Sequence, residues 1–362
     1  MSAGTNDVVG QRYFVGDRPI FGDDHAAFRD SVRRFVTADV VPGLSGWRTA
    51  GATPRDVVAA AGAAGFFGIG AAEEFGGAAI DDRGFLTILI EETADAGAAG
   101  LALLWALHGG VVVPIVGTRA TRQNQQRWLP GLISGELIGV PVHLDEASVD
   151  GETLTGRSGA VPFGDLADLL IGVLPDGRTV LIPREQPGFH VAPIEGLAAH
   201  ETGTAVITLD GVRVELLDDC ADVRHELLLW FSVIAVAGAR YALRLAVEYA
   251  RERKVFGKPL AVFENTRLRL AHLTADLVTT STYVDTCLAA GADVEPAAVA
   301  IAGVTSADVH DRCVDQALQL HGGYGYMREY PISTAFADAR FLRLLTKHYT
   351  GVGRTLADDL GL

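Results

Sequence analysis

The chain is short of cysteine and of positive charge. Its three cysteines, Cys220, Cys287 and Cys313, are odd in number and far apart. That excludes a disulfide framework and any CxxC metal or redox motif, and it points to a reducing compartment. Lysine and arginine total 30 against 45 aspartates and glutamates, a net charge of −15. A surface that neutralises nucleic-acid phosphates needs the opposite balance, so no nucleic-acid partner is expected. No secretory leader is visible, because Asp7, Arg12 and Asp17 interrupt the first twenty residues, and a cytoplasmic location follows. Two stretches are strongly apolar. Leu101 to Val116 is broken by His108-Gly109-Gly110, and Leu227 to Ala239 is too short to span a bilayer. Both are expected to be buried helices, with no membrane insertion. HExxH, Walker A and GxSxG motifs are missing, and the ten histidines do not cluster at ligand spacing, which leaves no metal site.

What is present is a 362-residue chain that is 49% apolar, enough for two or three packed units. From Asp24 to about Gly135 the pattern is helical. Phe28, Val32, Phe35 and Val36 recur on one face with Arg29, Arg33 and Arg34 between them, and Pro42, Pro54, Gly76-Gly77 and Pro114 mark helix ends. Residues 1–135 are therefore expected to form a helical N-terminal domain. Over 136–222 the period changes to strands and turns. Ala167 to Leu174 and Val180 to Ile182 flank a Pro175-Asp176-Gly177 turn, and Thr204 to Leu209 and Val212 to Val214 flank a turn at Asp210-Gly211. This is a small middle β-domain. Over 223–362 helical patterns return, first the nearly all-apolar Leu227 to Val247, then Thr266 to Leu288, Pro296 to Leu320 and Pro331 to Leu345. The fold class is α+β, mostly α, ending in a helical bundle. Arg251, Arg253, Lys254 and Lys258 concentrate cations at the end of the long helix. They suit a small phosphorylated cofactor, or simply a solvated helix end favoured by its dipole.

The run from Gln319 to Pro331, QLHGGYGYMREYP, with Asp338-Ala-Arg340 after it, resembles the C-terminal signature of the flavin-dependent acyl-CoA dehydrogenases, closest to their long-chain branch. The order of the three regions and the stretch from Phe21 to Gly77 resemble the same family. The resemblance implies a helical N-terminal domain, a middle β-domain and a C-terminal four-helix bundle. It also implies FAD-dependent α,β-oxidation of an acyl thioester, carried on CoA or on an acyl carrier protein. In that family the bundle of one subunit reaches a flavin held mainly by its neighbour, so a homo- or hetero-oligomer with another such chain is implied. The positions carried over are Arg253 and Phe256 of the Arg-x-x-Phe-Gly motif, Gln319, and the Gly322-Gly323 pair. An arginine offers a forked donor to a pyrophosphate, and paired glycines let backbone approach a phosphate.

Other positions depart from the family pattern. Glu264 stands where a Gln is usual. The middle-domain loops that cover the flavin ring in the family are unrecognisable in Gly139 to Ser148 and in Gly159 to Asp165. Thr346 occupies the commoner position of the catalytic Glu, and a threonine cannot hold the Cα proton. Glu248, beside Tyr249 on the long helix, is the carboxylate that the resemblance leaves as a base. His321, Asp338 and His348 are further proton carriers, each with a structural role as the simpler reading. Three functions are compatible with this pattern. One is a base-deficient partner subunit that lends its surviving positions to a flavin shared with a sister chain. Another is a self-sufficient dehydrogenase with a displaced base, and the third is a non-redox or altered-chemistry biosynthetic enzyme on the same fold.

Overall fold

A computed structural model describes residues 18, 20–217, 222–350 and 352–361. Cys220 and the N-terminal residues Asp7, Arg12 and Asp17 lie outside the described residues. Helices come first: α1 (Asp23–Phe35), α2 (Leu44–Ala50), α3 (Arg55–Ala63), α4 (Arg83–Asp95), α5 (Ala99–Leu107), α6 (Val113–Arg119) and α7 (Arg122–Ser134). Seven strands follow: β1 (Gly139–Asp150), β2 (Thr153–Val161), β3 (Leu169–Val173), β4 (Thr179–Pro183), β5 (Phe189–Pro193), β6 (Ala205–Arg213) and β7 (Glu215–Leu217). The chain then returns to helix in α8 (Asp222–Glu252), makes a small hairpin of β8 (Lys254–Val255) and β9 (Lys258–Pro259), and continues through α9 (Glu264–Ala289), α10 (Pro296–His321), α11 (Pro331–Thr350) and α12 (Val352–Asp359).

The apolar face of α1 lies where its periodicity puts it. Phe28 and Phe35 meet Phe66 edge-on at 5.4 Å each, and Phe35 reaches Trp105 of α5. The arginines between them are not left to solvent: Arg29 and Arg33 both bind Glu92 of α4. The stretch from 101 to 116 is not broken as its glycines suggested. His108–Val112 form a π-helical turn that joins α5 to α6, so the helical path from Ala99 to Arg119 is continuous. Such a turn leaves a carbonyl without its usual helical partner, and Gly110 O accepts a 3.0 Å bond from Trp230 Nε1 of α8. A Cβ at 110 would stand 2.6 Å from that indole, so glycine is what lets the two helices meet.

His108, at the start of the turn, is fully buried and has both ring nitrogens engaged. Nε2 contacts Leu132 O at 2.9 Å, and Nδ1 accepts from Gly139 N at 3.1 Å. The imidazole thereby fastens α7 and the first residue of β1 to the N-terminal helices. Burial pushes its pKa down to about 4, so it stays neutral at physiological pH.

The sheet runs β5-β6-β2-β1-β3-β4-β7. All neighbours are antiparallel except β1 and β3, which pair in parallel from Gly139↔Leu169 to His143↔Val173. β1 changes partner partway: its first half pairs with β3 and its second half, from Leu144, with β2. The turn expected at Asp210-Gly211 is absent. Leu154↔Val212 and Gly156↔Leu209 bracket two residues of β6 against one of β2, which is a β-bulge. Gly211 takes φ +63 there, and its N–H bonds Thr155 Oγ1. An Asp-Gly pair suits either geometry; the strand beside it decided.

Helix α8, 31 residues long, packs against α4, α5, α9, α10 and α11. Packing on so many sides brings a charge of its middle, Arg240, against α4. The Arg240 guanidinium bonds Glu91 Oε1 of α4 at 2.9 Å. Glu91 also accepts from Arg18 and Arg29, and Arg18 bridges on to Asp285 of α9. Although burial alone would raise it, this ring of guanidinium groups holds the Glu91 carboxyl far below the usual carboxylate range.

Two stability effects follow. Glu91→Gln strips the balancing charge from buried arginines and is expected to cost about 3–5 kcal/mol. His108→Leu leaves Gly139 N–H and Leu132 C=O buried without their partner and is expected to cost about 2–4 kcal/mol. Urea unfolding at pH 7 measures both, and changes within about 0.5 kcal/mol of zero would refute these roles.

Candidate functional site

Helix α11 carries the center of a cavity. Pro331, Thr334, Ala335, Asp338, Phe341 and Leu342, spaced three and four apart on one face, form one wall. Ile234, Gly238 and Tyr241 of α8 form another, His310 of α10 a third, and Gly97, Gly100 and Leu103 around the start of α5 a fourth. Ala199, from the loop before β6, and Arg48 of α2 complete it. The walls are mostly apolar; the polar groups gather on one side.

There Asp338 is 8% exposed. Its Oδ1 accepts from Ala199 N at 2.9 Å, and its Oδ2 lies 4.0 Å from Arg48. Arg48 also donates to Gly97 O and to Glu201, whose carboxylate is fully buried. Burial, with Glu201 adding repulsion, pushes the Asp338 carboxyl up to about 7 against the pull of Arg48. Asp338 is not at a helix end. It sits in the middle of α11 and ties that helix to the β-domain loop.

The other carried-over positions lie elsewhere. Glu248 pairs with Arg244 at 3.6 Å with 41% of its side chain exposed, and it does not line the cavity. Thr346 is buried one turn beyond Leu342 on α11, its hydroxyl bonded to Leu342 O. His348, a half-buried residue near the end of α11, meets the ring of His143 from β1 at 5.6 Å. His321 is buried, stacks on Tyr249 at 4.1 Å and holds Ala317 O through Nδ1, a role in fixing the helix end.

Arg253, Phe256, Gln319, Gly322 and Gly323 are all exposed, at the β8–β9 hairpin and the 3-10 turn after α10. Phe256 is 92% exposed. The Arg253 guanidinium lies over the Tyr324 ring at 5.5 Å, and nothing stands within 4 Å of a Cβ at Gly322 or Gly323. This is an open cradle of cation, aromatic ring and bare backbone that fits one side of a dinucleotide. Glu264 is exposed in the first turn of α9, where the helix dipole favours a carboxylate.

The middle-domain side does not fit a flavin in the same way. Gly139–Asp150 is a strand that turns at 151–152 into β2, with no loop to cover a ring. Phe163 is fully buried and packs in the core.

Sequence reading missed Arg48, Glu201, Tyr241 and His310. Glycine was the available signal: a Cβ at Gly97, Gly100 or Gly238 would fall 2.7, 2.6 or 2.5 Å from Tyr241, Glu201 or His310 respectively.

The raised Asp338 pKa has a definite sign. Between about pH 4 and 7 the folded state holds a proton that the unfolded chain has lost, so stability from this group falls as pH rises through 7. The groups facing it are Glu201, Arg48 and Tyr241. Asp338→Asn keeps the acceptor for Ala199 and removes the titration. Its stability relative to the parent chain is expected to rise by up to about 2.5 kcal/mol from pH 5 to pH 8. Urea unfolding at the two pH values tests this, and a pH-independent difference would refute it.

Residues 22–136 match the family model for the acyl-CoA dehydrogenase N-terminal domain, and residues 230–346 that for the acyl-CoA dehydrogenase C-terminal domain. The chain is similar to the mitochondrial long-chain specific acyl-CoA dehydrogenase of Rattus norvegicus, 28% identical over 90% of this chain and 84% of that one. It is also similar to a 3-(aryl)acrylate reductase of Clostridium sporogenes, 25% identical over 90% and 95% of the two chains. Its fold is shared with the crystal structure of an acyl-CoA dehydrogenase from Geobacillus kaustophilus, with a TM-score of 0.85 at 24% identity, covering 94% of this chain and 99% of that one. With matches over both helical regions and one fold throughout, the chain belongs to the acyl-CoA dehydrogenase family.

Proposed function

We propose that this protein works in the FAD-dependent oxidation of an acyl thioester as the partner subunit of a hetero-oligomer, lending one face of its bundle to a flavin held by a sister chain of the same family. The observation that carries the reading is the contrast between two half-sites. The positions that reach across to a neighbour, Arg253, Phe256, Gln319, Gly322 and Gly323, are exposed together. The half that would hold the chain's own flavin is a hairpin with a core phenylalanine. When bound, FAD supplies the acceptor for the hydride leaving Cβ.

This chain's residues then bind and orient. Arg253 pairs with pyrophosphate, and the Gly322-Gly323 backbone admits it closely. No base is apparent at Thr346, which is buried against its own helix, or at Glu248, which is paired with Arg244; the sister chain supplies it. The acyl carrier is CoA or an acyl carrier protein. The buried free thiols of Cys287 and Cys313 agree with a cytoplasmic setting.

The visible spectrum tests this. The chain purified alone, saturated with FAD and desalted, is expected to be colorless. The tagged chain recovered from its own cells is expected to bring a second acyl-CoA dehydrogenase chain and a yellow flavin. Arg253→Ala should lower the flavin content of that complex at least several-fold. Stoichiometric flavin on the isolated chain, or full flavin in the Arg253→Ala complex, would overturn the reading.

A further inference from the structure

A carboxylate holds each of Arg29, Arg33, Arg48, Arg83 and Arg240, and takes up N–H donors in doing so. Arg253 is held differently. Among the described residues its guanidinium has neither an ion pair nor a hydrogen bond, although Glu252 adjoins it in the chain and is likewise exposed. What it meets is the face of a ring, with Cζ 5.5 Å from the center of Tyr324. That ring is itself fixed. It stacks on Tyr330 at 4.9 Å with 30° between the planes, and Tyr330 meets Tyr249 and His321 edge-on at 6.5 and 6.1 Å. His321 is buried and bonded to Ala317 O of its own helix, and Tyr249 stacks on it and donates its hydroxyl to His321 O. The backbone of the turn is pinned as well, Met327 N bonding Tyr324 O and Tyr330 N bonding Met327 O. The cation at the rim therefore rests on a column of rings rooted in the end of α10.

We infer that Tyr324 is a positioning residue of the dinucleotide cradle, lying beneath Arg253 so that the guanidinium plane is fixed while its five N–H donors stay open to the pyrophosphate. The inference rests on the flavin-sharing reading above and adds to it the residue that prepares the arginine. A carboxylate in the same place would hold Arg253 too, but it would occupy the fork and cancel the charge that attracts an anion. A ring face does neither, because its quadrupole draws the cation from below and leaves the edges of the guanidinium exposed. Holding the side chain before the ligand arrives also spares part of the rotamer entropy that a loose surface arginine would lose on capturing a phosphate. Gly322 and Gly323 immediately precede Tyr324, so the ring stands where the bare backbone that admits the same anion ends.

The test is the affinity of the native complex for FAD, measured by flavin fluorescence as the flavin-stripped complex is reconstituted. The variants are Tyr324→Leu, Tyr324→Phe, Arg253→Ala and the double change Arg253→Ala with Tyr324→Leu. Tyr324→Leu fills the space without a π face and is expected to weaken FAD about three- to fivefold. Tyr324→Phe, which keeps the ring, should bind within about 1.5-fold of the parent. In the Arg253→Ala background Tyr324→Leu should cost nothing further, because the tyrosine acts through the arginine. Parent-like affinity in Tyr324→Leu, a loss in Tyr324→Phe equal to that in Tyr324→Leu, or the same loss with and without Arg253 would overturn the positioning role. Each would leave the flavin-sharing reading standing, since that depends on the loss caused by Arg253→Ala alone. Full FAD affinity in the Arg253→Ala complex would overturn both.

Discussion

Glu91 is the charge on which the packing of this protein depends. Helix α8 packs against five other helices, and a guanidinium drawn into such an environment survives only with a carboxylate at contact distance. The carboxylate comes from α4, and the arginines that share it come from α8, α1 and Arg18, with Arg18 reaching Asp285 of α9. A single buried anion thus sets the spacing of the N-terminal helices against the C-terminal bundle. The cavity lies between those same two layers, bounded by α4 and α5 on one side and by α8 and α11 on the other. Its dimensions are consequently inherited from the ion cluster.

A second fixed point is the junction with the β-domain. His108 holds the start of β1, and Asp338 holds the loop before β6. Both are buried titratable groups whose burial disfavours the charged form. They differ in consequence: His108 is neutral with both nitrogens satisfied, whereas Asp338 faces a second carboxylate across Arg48 and borders open space. The first only fastens the domains together. The second places a polar corner at the edge of an apolar cavity.

The two functional surfaces were unequally legible. Arg253, Phe256, Gln319, Gly322 and Gly323 could be named from two short motifs, because each half of the exposed cradle is local in sequence. Arg48, Glu201, Tyr241 and His310 come from four separate elements and have no mutual spacing to read. The glycines opposite them were visible but mute, since a helical glycine says that something approaches without saying what. The π-helical turn at His108–Val112 and the bulge at Asp210-Gly211 escaped for a related reason: glycine-rich segments permit several local geometries, and a neighbouring indole or strand selects among them.

By itself the sequence determined the succession of helices, strands and helices, the burial of the two apolar stretches and the family to which the chain belongs. Those follow from periodicity and short motifs, which act over a few residues at a time. Only the tertiary structure decided that Glu248 is turned toward Arg244 rather than into a cavity, that Thr346 is closed against its own helix, and that the His310 imidazole lines a mostly apolar space. Each of these depends on which side chains from distant segments compete for the same volume, and that competition is resolved only when the helices pack.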